Sequence, residues 1–94
     1  MRLRFSRRAE RDLEDIADYI AQSNPARAVS YVREMREQCR RLLAFPESAT
    51  LRPELGAGVR MSIFGNYLIL HVVQRDFLEV RRVVHGARSL APGI

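Results

Sequence analysis

The chain is poor in cysteine and has no long apolar run. Its single cysteine, Cys39, cannot form a disulfide within the chain, and no group of Cys and His residues has the spacing of a zinc site. No apolar stretch approaches the ~18 residues that suggest a membrane helix, and the N-terminus lacks the pattern of a secretory signal. These absences predict a cytoplasmic protein with no metal, no cofactor and no membrane partner.

Lysine is absent as well, so all 16 basic residues are arginine. With 11 acidic residues the net charge is +5, which predicts an acidic partner, either nucleic acid or an acidic protein segment. Arginine suits two-point recognition of carboxylate or phosphate. Genomic codon bias explains the missing lysine equally well, so the charge alone does not choose the partner.

The length and patterning predict one domain over residues 1–94, with two helices in its first half. Residues 2–5 alternate polar and apolar side chains, which predicts a short first strand, and Ser6 stands where a helix N-cap belongs. A first helix is predicted from about Arg7 to Ala21. Asn24-Pro25 then starts a second helix, which extends to about Phe45.

Both helices carry an apolar seam with helical spacing. The seam residues are Leu13, Ile16, Ala17 and Ile20 in the first helix, and Ala28, Val32, Met35, Cys39 and Leu42 in the second. This spacing predicts an antiparallel two-helix hairpin, with Arg8/Asp12 and Arg11/Asp15 as ion pairs on the outer side. Cys39 is predicted to be a buried apolar residue rather than a reactive thiol.

After a loop over residues 46–58, the pattern changes to the period of two that is typical of strands. Gly65-Asn66 forms a predicted two-residue hairpin turn, which pairs Arg60 with His71. The same register places one apolar set against the helices: Val59, Met61, Ile63, Leu68, Leu70 and Val72. The other face, with Arg60, Ser62, Phe64, Tyr67, Ile69 and His71, is predicted to face outward.

A third strand completes a predicted antiparallel meander. A three-residue turn, Gln74-Arg75-Asp76, avoids the cost of burying Glu79 and Arg81, and it aligns Arg60, His71 and Glu79 in one row. Arg82 then falls on the core side, where it needs a carboxylate from a helix. The predicted fold is α+β: a short first strand, an antiparallel helix hairpin, and a three-stranded antiparallel meander packed on the helices.

The row of Arg60, His71 and Glu79 offers a cation, an imidazole and a carboxylate, which acid-base or phosphate chemistry would require. Rows of opposite charge are also common surface stabilisers, and that interpretation remains open. For His85 the alternative to a functional role is a hydrogen-bonded turn residue, and for Arg88 it is a solvated side chain.

Four motifs carry a resemblance to a known family: Phe5-Ser6-Arg7-Arg8-Ala9-Glu10, Leu51-Arg52-Pro53-Glu54-Leu55-Gly56, Phe64-Gly65-Asn66-Tyr67, and Arg82-Val83-Val84-His85-Gly86-Ala87-Arg88. Together with the predicted order of elements (strand, helix, helix and three strands), these motifs resemble the ParE branch of the ParE/RelE toxin superfamily. The resemblance covers about residues 3–90. The resemblance implies a type II toxin that poisons DNA gyrase and is neutralised by a cognate ParD-like antitoxin. It implies contact with operator DNA only through that antitoxin.

The RelE branch, whose members are ribosome-dependent mRNA nucleases, shares this fold. Those nucleases usually place a tyrosine or histidine shortly after the position of Arg88, and they tend to carry an arginine where this chain has Tyr67. Both differences favour ParE and an activity based on binding rather than on catalysis. The alternatives are a RelE-like nuclease and a non-toxic member that acts only in antitoxin-dependent operator repression.

Two sets of candidate binding residues follow from the register and the resemblance. The target-binding set is Arg60, Tyr67, Arg81, His85 and Arg88. The antitoxin-binding set is Arg7, Arg8, Arg11 and Phe64.

Overall fold

A computed structural model describes residues 1–87 as two helices packed on one face of a five-stranded sheet. The helices are α1 (Arg7–Ala21) and α2 (Pro25–Arg41). The strands are β1 (Arg2–Phe5), β2 (Thr50–Leu51), β3 (Arg60–Phe64), β4 (Tyr67–Val73) and β5 (Phe77–His85). The predicted α+β class is therefore confirmed. Among the described residues, no helix is long and apolar enough to cross a membrane.

The helix starts are set by the predicted caps. The Ser6 hydroxyl accepts a hydrogen bond from the Ala9 amide at 3.0 Å, and the Asn24 side chain accepts one from the Arg27 amide at 3.0 Å. Helix α2 ends at Arg41, earlier than predicted, and a 3-10 turn at Leu42–Ala44 continues the chain. The predicted burial of Cys39 is confirmed, and burial raises the pKa of its thiol to about 12.

The strands follow the order β1-β5-β4-β3-β2, so the predicted meander lies inside a larger sheet. The β3–β4 register is confirmed: Arg60 pairs with His71 across a turn in which Gly65 has φ 57°. Strand β1 runs parallel to β5, and β2 adds a short antiparallel edge beside β3. The sequence pattern did not predict β2, which interrupts the segment interpreted as a loop.

The predicted register between β4 and β5 is wrong. Val72, rather than His71, pairs with Glu79, and the backbone amide of Gln74 donates to the Phe77 carbonyl at 2.7 Å across a shorter turn. A β-bulge then shifts the register between Leu70 and His71. The cost of burying Glu79, which argued against this turn, is offset because Arg4 on β1 supplies a counter-charge.

The predicted faces of the meander are also exchanged. The helices pack on the face that carries Ile69, Phe64 and Tyr67, whereas the set headed by Leu70 and Val72 lies on the opposite face. That second face forms its own small cluster, which the 3-10 turn at Pro53–Leu55 covers. Because both faces are covered, both carry apolar residues, and the alternation alone could not identify the helix side.

Candidate functional site

A cleft of about 370 Å³ opens where the helix hairpin meets the β3–β4 hairpin and the end of β5. We call it the hairpin-end cleft, and it is lined by Tyr19, Ile20, Arg27, Tyr31, Asn66, Tyr67 and His85. Its volume falls in the range of about 300–1,000 Å³ that is usual for small-molecule sites. Two of the predicted target-binding residues, Tyr67 and His85, lie here together.

The cleft wall is an edge-to-face aromatic cluster. The ring centroids of Tyr31 and Tyr67 are 6.1 Å apart, and those of Tyr67 and His85 are 5.4 Å apart. The Arg27 guanidinium lies 5.0 Å from the Tyr31 ring centroid and also binds the Glu34 carboxylate at 2.6 and 3.3 Å. Burial raises the pKa of both Tyr31 and Tyr67, so both phenols keep their protons at neutral pH.

His85 presents a hydrogen-bond donor at this site. The Ala87 backbone amide donates to Nδ1 of His85 at 3.1 Å. In the neutral imidazole this bond places the proton on Nε2, because Nδ1 is then the acceptor. The exposed ring of His85 can therefore donate from Nε2 to a partner.

Arg60 and Arg81 lie outside this cleft. Arg60 donates to the carbonyls of Glu47 at 2.9 Å and Ala49 at 3.0 Å, so it fastens the loop that precedes β2. Its pairing with His71 places it four residues from Tyr67 along β4, or ~13 Å at the usual rise of a strand. Its predicted outward position is wrong, since it shares the face that the helices cover and its side chain is 20% exposed.

The predicted row of Arg60, His71 and Glu79 does not form. His71 is fully buried, and its Nε2 lies 3.1 Å from the Pro46 carbonyl. Burial lowers the pKa of His71; the bond to Pro46 opposes this shift, and the charge of Arg60 adds to it.

Glu79 lies on the opposite face of the sheet, where its carboxylate accepts hydrogen bonds from Arg4 at 3.0 Å and Arg81 at 2.5 Å. Burial alone would raise the pKa of Glu79, but these two arginines hold it below its ordinary value. Arg81 is thus committed to a local ion pair and is half-exposed.

The predicted antitoxin-binding residues occupy two places. Arg7, Arg8 and Arg11 are exposed on α1, where Arg8 also lies 3.6 Å from Asp12. Phe64 is half-buried at the end of β3 and packs against Tyr31, with ring centroids 5.3 Å apart. Arg88 lies outside the described residues.

Asp12 is a further residue whose predicted position is wrong. The sequence pattern predicts it on the solvated side of α1, but its side chain is 6% exposed and binds Arg82 at 2.8 and 3.3 Å. The predicted need of Arg82 for a helix carboxylate is thereby confirmed. Sequence reasoning also missed Arg27 and Tyr31; their i, i+4 spacing on α2, next to the seam, was the available signal.

Comparison with known proteins agrees with this architecture. The model of a family described as the ParE toxin of type II toxin-antitoxin system, parDE, matches residues 3–90. The chain belongs to the ParE toxin family. A solved ParE-like fold is that of the chromosomal ParDE TA system from P. aeruginosa, with a TM-score of 0.79 and 24% identity over 90% of this chain and 95% of that one. No curated protein matches the chain.

Proposed function

We propose that this ParE-family protein inhibits DNA gyrase by binding it, and that a cognate ParD-like antitoxin neutralises it in the cell. The family membership supplies the toxin assignment. The net charge of +5 provides the attraction for an acidic antitoxin segment that becomes ordered as it binds.

The observation that carries the choice of binding over catalysis is the position of His71. RNA cleavage by a 2′-hydroxyl needs an accessible general base and general acid. The His71 imidazole is fully buried against the Pro46 carbonyl, and the nearby Arg60 holds loop carbonyls. The third member of the predicted row, Glu79, is bridged by two arginines on the other face. These groups support the fold rather than a reaction centre.

The hairpin-end cleft provides the target surface in this proposal. Its exposed donor, the Nε2 group of His85, lies with the phenols of Tyr31 and Tyr67 and with the Arg27 guanidinium, which is bound to Glu34. Aromatic and arginine side chains of this kind are the residues that most often dominate protein interfaces. The roles of Tyr67 and His85 in target binding therefore remain in the proposal, and those of Arg60 and Arg81 do not.

Two assays on the same purified protein test the proposal. The toxin should inhibit supercoiling by gyrase, should leave ribosome-bound mRNA intact, and should lose its inhibition when the product of the adjacent gene is added. Ribosome-dependent cleavage of mRNA without an effect on gyrase would establish the nuclease alternative. If the protein neither inhibits gyrase nor cleaves mRNA, and if cells that express it without the antitoxin grow normally, a non-toxic repressor function is established.

A further inference from the structure

The outer edge of β1 is an unpaired strand edge in the part of the chain that the structure describes. The amides of Arg2 and Ser6 donate to the Asp76 and Val80 carbonyls, each at 3.0 Å, so alternate residues of β1 face β5. The backbone groups of the intervening residues, Leu3 and Phe5, point away from the sheet. A parallel edge of this kind is a template for a further strand.

The side chains along this edge separate by face. Arg2 and Arg4 share the face of Glu79, whereas Leu3 and Phe5 share the face of Leu78 and Val80 and are only partly buried against the core. An added strand would therefore meet arginine on one face and an apolar rim on the other.

Further arginines extend the positive charge past the end of β1. Arg7 and Arg11 line a shallow depression next to Phe5, together with Glu10 and Glu14. Within residues 1–87, the cations Arg2, Arg7 and Arg11 form no ion pair. Of the two carboxylates, Glu14 is also unpaired in this range and Glu10 is bound by Arg36 at 2.8 Å. The unpaired charge at this edge is thus mainly positive.

We propose that β1 accepts a sixth strand from a partner: an extended segment of four or five residues that alternates acidic and apolar side chains. Its acidic residues lie beside Arg2 and beside Arg4, which binds Glu79 but keeps a side chain that is 59% exposed. Its apolar residues continue the rim of Leu3 and Phe5. This mode of binding uses backbone hydrogen bonds for affinity and alternate side chains for specificity. The identification of the segment as part of the antitoxin rests on the proposed function.

Amide exchange at Leu3 and Phe5 tests the docking directly. In the free toxin both amides should exchange quickly, and in the complex with the antitoxin from the adjacent gene both should be protected. A complex that forms with both amides still exchanging quickly would overturn the β1 proposal and leave the toxin–antitoxin assignment intact.

A synthetic peptide, Ac-Val-Glu-Val-Glu-Val-amide, provides a test that does not depend on the antitoxin. At millimolar concentration it should protect the Leu3 and Phe5 amides, whereas the lysine analogue Ac-Val-Lys-Val-Lys-Val-amide should not. If no antitoxin complex forms, protection by this peptide alone decides: its presence supports the strand site, and its absence overturns it.

Charge reversal separates docking from folding. Arg7→Glu should weaken antitoxin binding by about tenfold. It should not lower the melting temperature, because an acidic residue in the first turn of α1 interacts favourably with the helix dipole. Arg33→Glu, an exposed change on α2, is the matched control and should bind as the unchanged protein does. Equal affinity for both variants would contradict the proposal.

Discussion

The carboxylate of Asp12 and the guanidinium of Arg82 form a two-point ion pair between α1 and β5, with N–O distances of 2.8 and 3.3 Å. The same carboxylate accepts the Val83 amide at 2.9 Å, just beyond the last β1–β5 pair, Phe5 with Val80. Asp12 therefore continues the hydrogen bonding of the sheet where β1 has ended, and it fixes α1 against β5.

Asp12→Ala should destabilise the protein more than changes at exposed positions of α1. The change leaves Arg82 and the Val83 amide without their acceptor, which for a buried pair costs about 3 kcal/mol. Thermal melts should show a fall of at least about 10 °C for a domain of this size. Asp15→Ala, at an exposed position of the same helix, should change stability by less than about 0.5 kcal/mol. Similar losses in both variants would show that Asp12 has no special role.

A second prediction concerns acid sensitivity through His71. Its pKa is lowered in the folded protein, so the unfolded chain binds a proton more readily, and stability should fall as the pH drops below the unfolded value of about 6.5. The decline should level off below the folded pKa. Urea unfolding at pH 7.5 and pH 5.5 measures the loss.

The variant His71→Gln tests whether His71 causes that loss. Glutamine can still donate to the Pro46 carbonyl but does not titrate, so His71→Gln should lose less stability between the two pH values. An equal loss in His71→Gln and in the unchanged protein would show that His71 does not cause the acid sensitivity.

A third prediction concerns the β3–β4 turn. A Cβ added at Gly65, whose φ is 57°, would lie 2.5 Å from the Tyr31 hydroxyl oxygen. Gly58→Ala faces similar backbone strain at φ 73° but meets no atom within 4 Å, and should cost about 1–2 kcal/mol. Gly65→Ala should cost more, and Tyr31→Phe should remove the excess. Equal costs measured by chemical denaturation would mean that Tyr31 does not confine this turn.

A fourth prediction places target binding at the hairpin-end cleft. His85→Ala should weaken gyrase inhibition by at least about tenfold, because it removes the Nε2 donor and an aromatic wall of the cleft. Its melting temperature should stay within about 3 °C, since the side chain is exposed. Arg33→Ala, exposed and outside the cleft, is the matched control. Undiminished inhibition by a folded His85→Ala protein would move the target surface elsewhere.

The sequence predicted the local features of the fold well, because each depends on neighbouring residues. Ser6 and Asn24 cap the helices, and Gly65 sets the register that pairs Arg60 with His71. The predictions that were wrong concern features that depend on distant parts of the chain. Glu79 is buried opposite Val72 because β1 supplies Arg4 from far along the sequence.

The candidate site was predicted in part for the same reason. Tyr67 and His85 lie together because the β4–β5 register pairs them. The three-residue turn predicted between these strands would place Val83 beside Tyr67 instead. The i, i+4 spacing of Arg27 and Tyr31 places them on one side of α2, but only the packing of α2 against the hairpin brings them to the cleft. Arg60 lies outside the site because it is ~13 Å from Tyr67 along the sheet and its guanidinium binds the carbonyls of Glu47 and Ala49.

The central claim, inhibition by occupancy rather than by catalysis, is tested most directly by titrating gyrase with the toxin. With gyrase concentration well above the dissociation constant, residual supercoiling should fall in proportion to added toxin, should level off when the gyrase sites are filled, and should recover when the antitoxin is added. Complete and irreversible loss of supercoiling at a small fraction of the gyrase concentration would contradict the claim, because only turnover allows one toxin molecule to inactivate many.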